Sequence, residues 1–173
     1  MSATLNGLAD VKYIYYDAIK DGAMTDYRVR LFDGTASKIL KHQNKLIVYC
    51  LTNARCHEIK SKFAGAVVVT CKTPATERDK IYQKFRESEK AVIINCRILG
   101  EGVDLPECDS VYFESGSTSY VSVIQAMGRC IRLSTGKETG YIYMNSSDVH
   151  ANSRLDQMRK VDPDVDSKIE ILA

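Results

Sequence analysis

Between residues 125 and 137 the chain reads QAMGRCIRLSTGK, which brings Gln125, Arg129 and Arg132 close together. On a helix turning about 100° per residue, the three fall within about 60° of one another. Two guanidiniums beside an amide suit a phosphate, because each guanidinium is planar and always charged and the amide can orient a water or an oxygen. A solvated polar face has the same pattern. Gly128 argues for more, since a glycine inside a helix costs about 1 kcal/mol relative to alanine and implies that something approaches the backbone closely. Upstream, NCRILGEGVDLPECDSVYF turns through Gly100 and Gly102 to Asp104 and Pro106. That spelling describes a tight turn presenting one carboxylate to a ligand; as a plain connecting loop it would use Asp104 only as a cap.

The elements that must position these groups follow from the hydrophobic pattern. KLIVYCL (45–51), GAVVVTC (65–71), AVIINC (91–96), SVYF (110–113) and GYIYM (140–144) are short apolar runs without polar alternation. Such runs suit strands covered on both faces, hence a parallel sheet. Helical patterns separate most of them: NARCHEIKSKF after the first, and after the second TPATERDKIYQKFRESEK, where Thr73 can cap, Pro74 suits the first helical position and Ile81, Tyr82 and Phe85 share a face. The expected fold is α/β, an open, mainly parallel sheet with helices on both faces. Ligands then belong at the carboxyl ends of the strands. The arginine helix is expected to be capped by Ser117 or Thr118 and to run to about Leu133. Its stripe of Tyr120, Ile124, Met127 and Ile131 would be buried, with Gln125, Arg129 and Arg132 pointing away from the core.

DYRVRLF (26–32) reads as an edge strand, followed by a helical ASKILKHQ. The organisation expected is an N-terminal helical and edge-strand extension over 1–35, a body over 36–146, and a helical tail over 147–173. The tail places Leu155, Met158 and Val161 at helical spacing and contains no strand run. Packing against the body is the simplest role for it.

At 173 residues and 45% hydrophobic, the chain has enough material for one core, and a net charge of +2 is too mild to argue for nucleic acid by itself. The cysteines, Cys50, Cys56, Cys71, Cys96, Cys108 and Cys130, form no C-x-x-C pair and mostly lie inside apolar runs. They read as reduced core thiols of an intracellular protein, cytoplasmic or nuclear. His42, His57 and His150 make no ligand spacing with them, so no metal is expected. The N-terminus lacks the pattern of a secretion signal, and no run is long enough to span a bilayer.

Taken together, these residues resemble a family. INCRILGEGVDLP resembles motif V of superfamily 2 helicases, and QAMGRCIR resembles motif VI. KLIVYCLTNARCHEI is similar to motif IV, and TERDKIYQKF to the helix that usually lies between IV and V. The resemblance covers residues 36 to 146 and implies a RecA-like second lobe, one half of an ATP-driven nucleic-acid motor. By position it implies that Arg129 and Arg132 are arginine fingers that neutralise charge on the transferred phosphoryl group, that Gln125 positions the γ-phosphate and attacking water, and that Asp104 with the Gly102 backbone faces the ribose. It also implies backbone-phosphate contacts by Thr52, Asn53, Lys72, Cys96 and Arg97, which hold a strand without reading its sequence. Cys96 stands where many members carry threonine, a stronger hydrogen-bond partner. The N-x-R-x-L-x-E-G-V-D spelling is similar to restriction-type and large DNA-virus helicases, which favours DNA over RNA.

The resemblance further implies ATP with Mg²⁺ as cofactor, held mostly by an N-terminal lobe bearing a Walker A loop and an acidic motif II. Neither motif is found here. STGKE at 134–138 lacks the earlier glycine and the following Ser/Thr, and leads into a strand. The chain is therefore expected to be the C-terminal lobe of a larger protein, inactive without its N-terminal partner lobe. Two other readings differ in class. A nucleic-acid-binding or scaffolding module could keep the fold without catalysis, although Gln125, Arg129, Arg132 and Asp104 together count against it. An unrelated phosphate-binding enzyme would want a glycine-rich loop after the first strand, where TNARC has no glycine.

Overall fold

A computed structural model describes residues 15–40, 44–96, 104–115 and 117–172. Helix α1 is described over 15–20 and leads into strand β1, Asp26–Phe32. Then follow α2 (Ser37–Leu40), β2 (Lys45–Cys50), α3 (Asn53–Ile59), β3 (Val67–Val69), α4 (Ala75–Glu87), β4 (Ala91–Cys96) and β5 (Ser110–Phe113). The chain continues with α5 (Tyr120–Cys130), β6 (Thr139–Asn145), α6 (Ala151–Arg159), a short 3₁₀ turn and β7 (Ile169–Leu172). The seven strands form one sheet in the order β3-β4-β2-β5-β6-β1-β7, and every described pairing is parallel. This is the expected RecA-like α/β fold.

Parallel neighbours require crossover helices, and these cover both faces. Successive residues of β2 point to opposite sides, so Leu46 and Val48 join one cluster and Ile47 the other. On the first face α4, α5 and α6 contribute Phe85, Met127, Leu155 and Met158 against Ile47, Ile93 and Val111. On the second face α2 and α3 contribute Ile39, Cys56 and Ile59 against Leu46, Val48, Ile94 and Tyr112. No described helix is long and apolar enough to cross a membrane.

Three expectations are corrected. The 26–32 strand is not at an edge: β1 lies between β6 and β7, in register Val29 to Ile142 and Val29 to Ile169. The tail is not wholly helical, since Ile169–Leu172 pairs with β1 and becomes the edge itself. The third concerns the arginine helix, which is capped by Ser119 and ends at Cys130 instead of running to Leu133. Position 140 must be glycine where β6 meets this helix end, because a Cβ there would stand 2.5 Å from the Cys130 carbonyl oxygen. The start of β6 and the end of α5 are in direct backbone contact.

Candidate functional site

The predicted site residues divide between the two ends of the sheet. Helix α5 runs back from the carboxyl end of β5, so its last turn lies at the amino ends of the strands. Arg132, just beyond it, forms an ion pair through Nη1 with the Asp104 carboxylate. Arg86, in the last turn of α4, donates to the Asp104 carbonyl oxygen at 2.8 Å. Both partners of the ion pair remain accessible, with 43% of the Arg132 side chain and 73% of the Asp104 side chain exposed. Gln125 is also exposed, on the outer side of α5.

Arg129 corrects the expected pattern, for it is only 5% exposed and does not share a solvent face with Gln125. Tyr49 of β2 and Tyr82 of α4 feel its charge: burial raises both phenols, and Arg129 acts to lower them. Helical spacing separates a core side from an outer side but cannot say which flank a neighbouring helix will cover. The ligand-at-carboxyl-end rule likewise does not describe this cluster, which gathers at the amino end through α5 and the loop before β5.

That loop is braced by Lys137, the lysine of STGKE. Its Nζ donates to the carbonyl oxygens of Pro106 at 2.7 Å and Cys108 at 3.1 Å, and burial holds the ammonium below its ordinary pKa. Lys137 is therefore a strut between the segment after α5 and the Asp104 loop. A cavity of about 380 Å³ beside it is lined by Lys45, Glu89, Glu107, Asp109, Glu138 and Tyr141, among others. Its carboxylates make it a poor place for a phosphate.

At the carboxyl end, the neighbouring strands β3, β4 and β2 bring Lys72, Cys96, Thr52 and Asn53 to one edge. Thr52 caps α3, its hydroxyl accepting from the Arg55 N–H at 3.2 Å. Asn53 Nδ2 reaches Cys71 Sγ at 4.0 Å, and Lys72 is exposed. Cys96 is 8% exposed and donates its thiol to the Leu51 carbonyl oxygen at 3.3 Å, so it braces the β2 loop and does not face outward. Gly102 and Arg97 lie outside the described residues.

Sequence reasoning gave no role to one group at this edge. Glu114, at the end of β5, has only 7% of its side chain exposed and accepts from Arg55 Nε at 2.7 Å. Arg55 also reaches Glu58 at 2.5 Å. The pair borders a cavity of about 700 Å³ floored by Tyr112, Phe63 and Ile59 and rimmed by Lys62, Asn145 and Ser147. A charged residue closing the apolar SVYF run was the available signal. Among the described residues, no three His, Cys, Asp or Glu side chains converge as a metal site.

Residues 32–134 match the family described as Helicase conserved C-terminal domain. The chain is 34% identical over 88 residues to the DNA 3'-5' translocase XPB2 of Sulfurisphaera tokodaii, a match covering 51% of this chain and 20% of that protein. It is 32% identical over 140 residues to UvrABC system protein B of Helicobacter hepaticus, covering 76% of this chain and 20% of the relative. The chain thus spans about a fifth of either protein. Among solved structures, the Type ISP restriction-modification enzyme LlaBIII bound to DNA superposes with a TM-score of 0.70 at 16% identity, over 90% of this chain and 16% of that one. The C-terminal domain of the DEAD-box protein Dbp5 superposes with a TM-score of 0.64 at 17% identity, over 85% of this chain and 89% of that domain.

Proposed function

Because this chain belongs to the helicase conserved C-terminal domain family of superfamily 2, we propose that it is the second lobe of an ATP-dependent helicase or translocase. The observation that carries the reading is the grouping of Arg132, Asp104 and Arg86 at the amino edge, with Gln125 exposed and Arg129 buried on the same helix. The donor set fits a nucleotide polyphosphate: one accessible guanidinium, a second held rigid, and an amide. The nucleotide and its magnesium would be held mostly by a first lobe, and ATP supplies the energy when bound there.

On this reading Arg132 turns its outward N–H groups toward the negative charge that develops on the phosphoryl group. Asp104 orients Arg132 and offers its carboxylate to a ribose hydroxyl. Gln125 orients a water, and Arg129, buried among phenols, keeps the helix end charged and rigid. Thr52, Asn53 and Lys72 grip the nucleic-acid backbone at the opposite edge, a role that motif V alone extends to Arg97; Cys96 supports that grip from beneath. DNA is the favoured polymer, supported by the N-x-R-x-L-x-E-G-V-D spelling and by the relative named a DNA translocase. The lobe takes in residues 36–146 together with β1 and β7, which belong to the same sheet.

Steady-state ATPase of the two-lobed protein with single-stranded DNA, duplex DNA and RNA tests this. One polymer should stimulate turnover, Arg132→Ala should lower kcat by about 10³-fold or more while ATP still binds, and this chain alone should give none. Turnover that survives Arg132→Ala unchanged overturns the reading, and absence of turnover leaves a nucleic-acid-binding module in its place.

A further inference from the structure

Residues that precede the first strand hold the end of α5. Tyr15, in α1, donates its hydroxyl to the Ile124 carbonyl oxygen at 3.2 Å. The same hydroxyl occupies the space that a side chain at position 128 would need. A Cβ built on Gly128 would stand 2.7 Å from Tyr15 Oη but 3.7 Å from Cζ. The first distance is closer than real Cβ atoms come, whereas the second is ordinary contact. Further along, Thr25 donates its N–H to the Ile131 carbonyl oxygen at 2.8 Å and its hydroxyl to that of Arg132 at 3.4 Å. Thr25 thus satisfies the carbonyls of the C-cap residue and of the residue after it, while Tyr15 reaches one in the body of the helix.

Tyr15 is also electrically close to the site. Burial pushes its phenol up to about 12, the Cys130 and Tyr120 groups add to the rise, and the Arg132 and Arg129 charges oppose it. The hydroxyl therefore stays protonated at neutral pH and remains a donor. Ile19 and Met24, from the same flank, pack onto the core beside α5.

We infer that Tyr15 is a positioning residue for Arg129 and Arg132: it seats in the notch left by Gly128 and, with Thr25, fixes the rotation and end point of the arginine-bearing helix. Gly128 is then glycine because a tyrosine of this chain approaches it, and not because a ligand does. The contact stands on geometry alone, while its catalytic consequence rests on the motor-lobe reading.

The test is a double-mutant cycle of Tyr15→Phe and Gly128→Ala, read as kcat and KM for ATP in the two-lobed protein and as Tm of this chain. Gly128→Ala alone is expected to lower kcat by about 10- to 100-fold, because a helix displaced by about an ångström misplaces its arginines. KM should stay within about threefold, since uniform binding is not what is lost. Tyr15→Phe removes the clashing oxygen and leaves ring carbon at contact distance, so the double variant should recover most of both kcat and Tm. If Gly128→Ala is as damaging in the Tyr15→Phe background as in the unmutated one, something else fills the notch and the proposal falls. Recovery of Tm without recovery of kcat reduces Tyr15 to a structural contact and also overturns it. No turnover in the unmutated two-lobed protein overturns the motor reading and this role with it, whereas turnover with an additive cycle overturns this role alone.

Discussion

Arginines in this chain are sorted by their surroundings more than by their sequence neighbours. Arg132 is half-exposed on Asp104, whereas Arg154 is fully buried, 2.5 Å from the Asp148 carboxylate and 5.3 Å from the centre of the Phe113 ring. Burial alone would raise the Asp148 carboxyl, but hydrogen bonds from Arg154 and the His150 N–H outweigh it and hold the group below its ordinary value. A depressed carboxyl stabilises the fold fully above the unfolded value, near pH 4, and that contribution is lost as pH falls through the lower folded value. Asp148→Asn, which removes the charge facing a buried guanidinium, should cost about 3 kcal/mol at pH 7. The gap from wild type should narrow below about pH 4 as the wild type loses the ionised carboxylate that the variant never had; urea midpoints at pH 7 and pH 3.5 measure it. Of the candidate site, helical spacing indicated the exposure of Gln125, and the motif resemblance grouped Asp104 with Arg132, which the structure joins in an ion pair. Gly128 announced a close approach but not its source, because Tyr15 lies more than a hundred residues upstream. Arg129 was misplaced for the same reason: its burial depends on which elements flank α5.

Among the elements, the apolar runs of β2, β4 and β5 were readable almost to the residue because both of their faces are covered. Strand β7 was not, since IEIL is an edge with Ile171 81% exposed and too short to set a pattern. What holds it is a polar lock that no periodicity encodes. Tyr27 donates its hydroxyl to Asp162 at 2.7 Å, and Lys168 reaches Asp162 at 3.1 Å and Asp26 at 2.6 Å. Burial raises the Tyr27 phenol first of all, and the adjacent Asp162 carboxylate raises it further, so Tyr27 remains a donor at any ordinary pH. Asp162 is fully buried. Its replacement by Ala should cost about 2–4 kcal/mol, because it strands the buried Tyr27 phenol and leaves Lys168 with Asp26 alone. Hydrogen exchange should show the amides of β7 and of its β1 partner residues losing protection before those of β2 and β4.

At the scale of the whole molecule, a net charge of +2 means that the nucleic-acid contact proposed above would rest on a few placed groups and not on a general field. Binding of the chain to single-stranded DNA should therefore depend weakly on salt, with a log–log slope of about −2 to −3, and Lys72→Ala should remove about 0.7 of a unit. A slope steeper than about −6 would mean a wider basic footprint than the β2, β3 and β4 loops provide. The placement of β1 has a consequence for how the chain is made. Its two sheet partners are the last strands in sequence, and Val29 meets Ile142 and Ile169. A ribosome adding about 10 residues per second would take about ten seconds to supply the first of them. For that interval the nascent β1 has both edges open, so β1 joins the sheet only after β6 and β7 have been made.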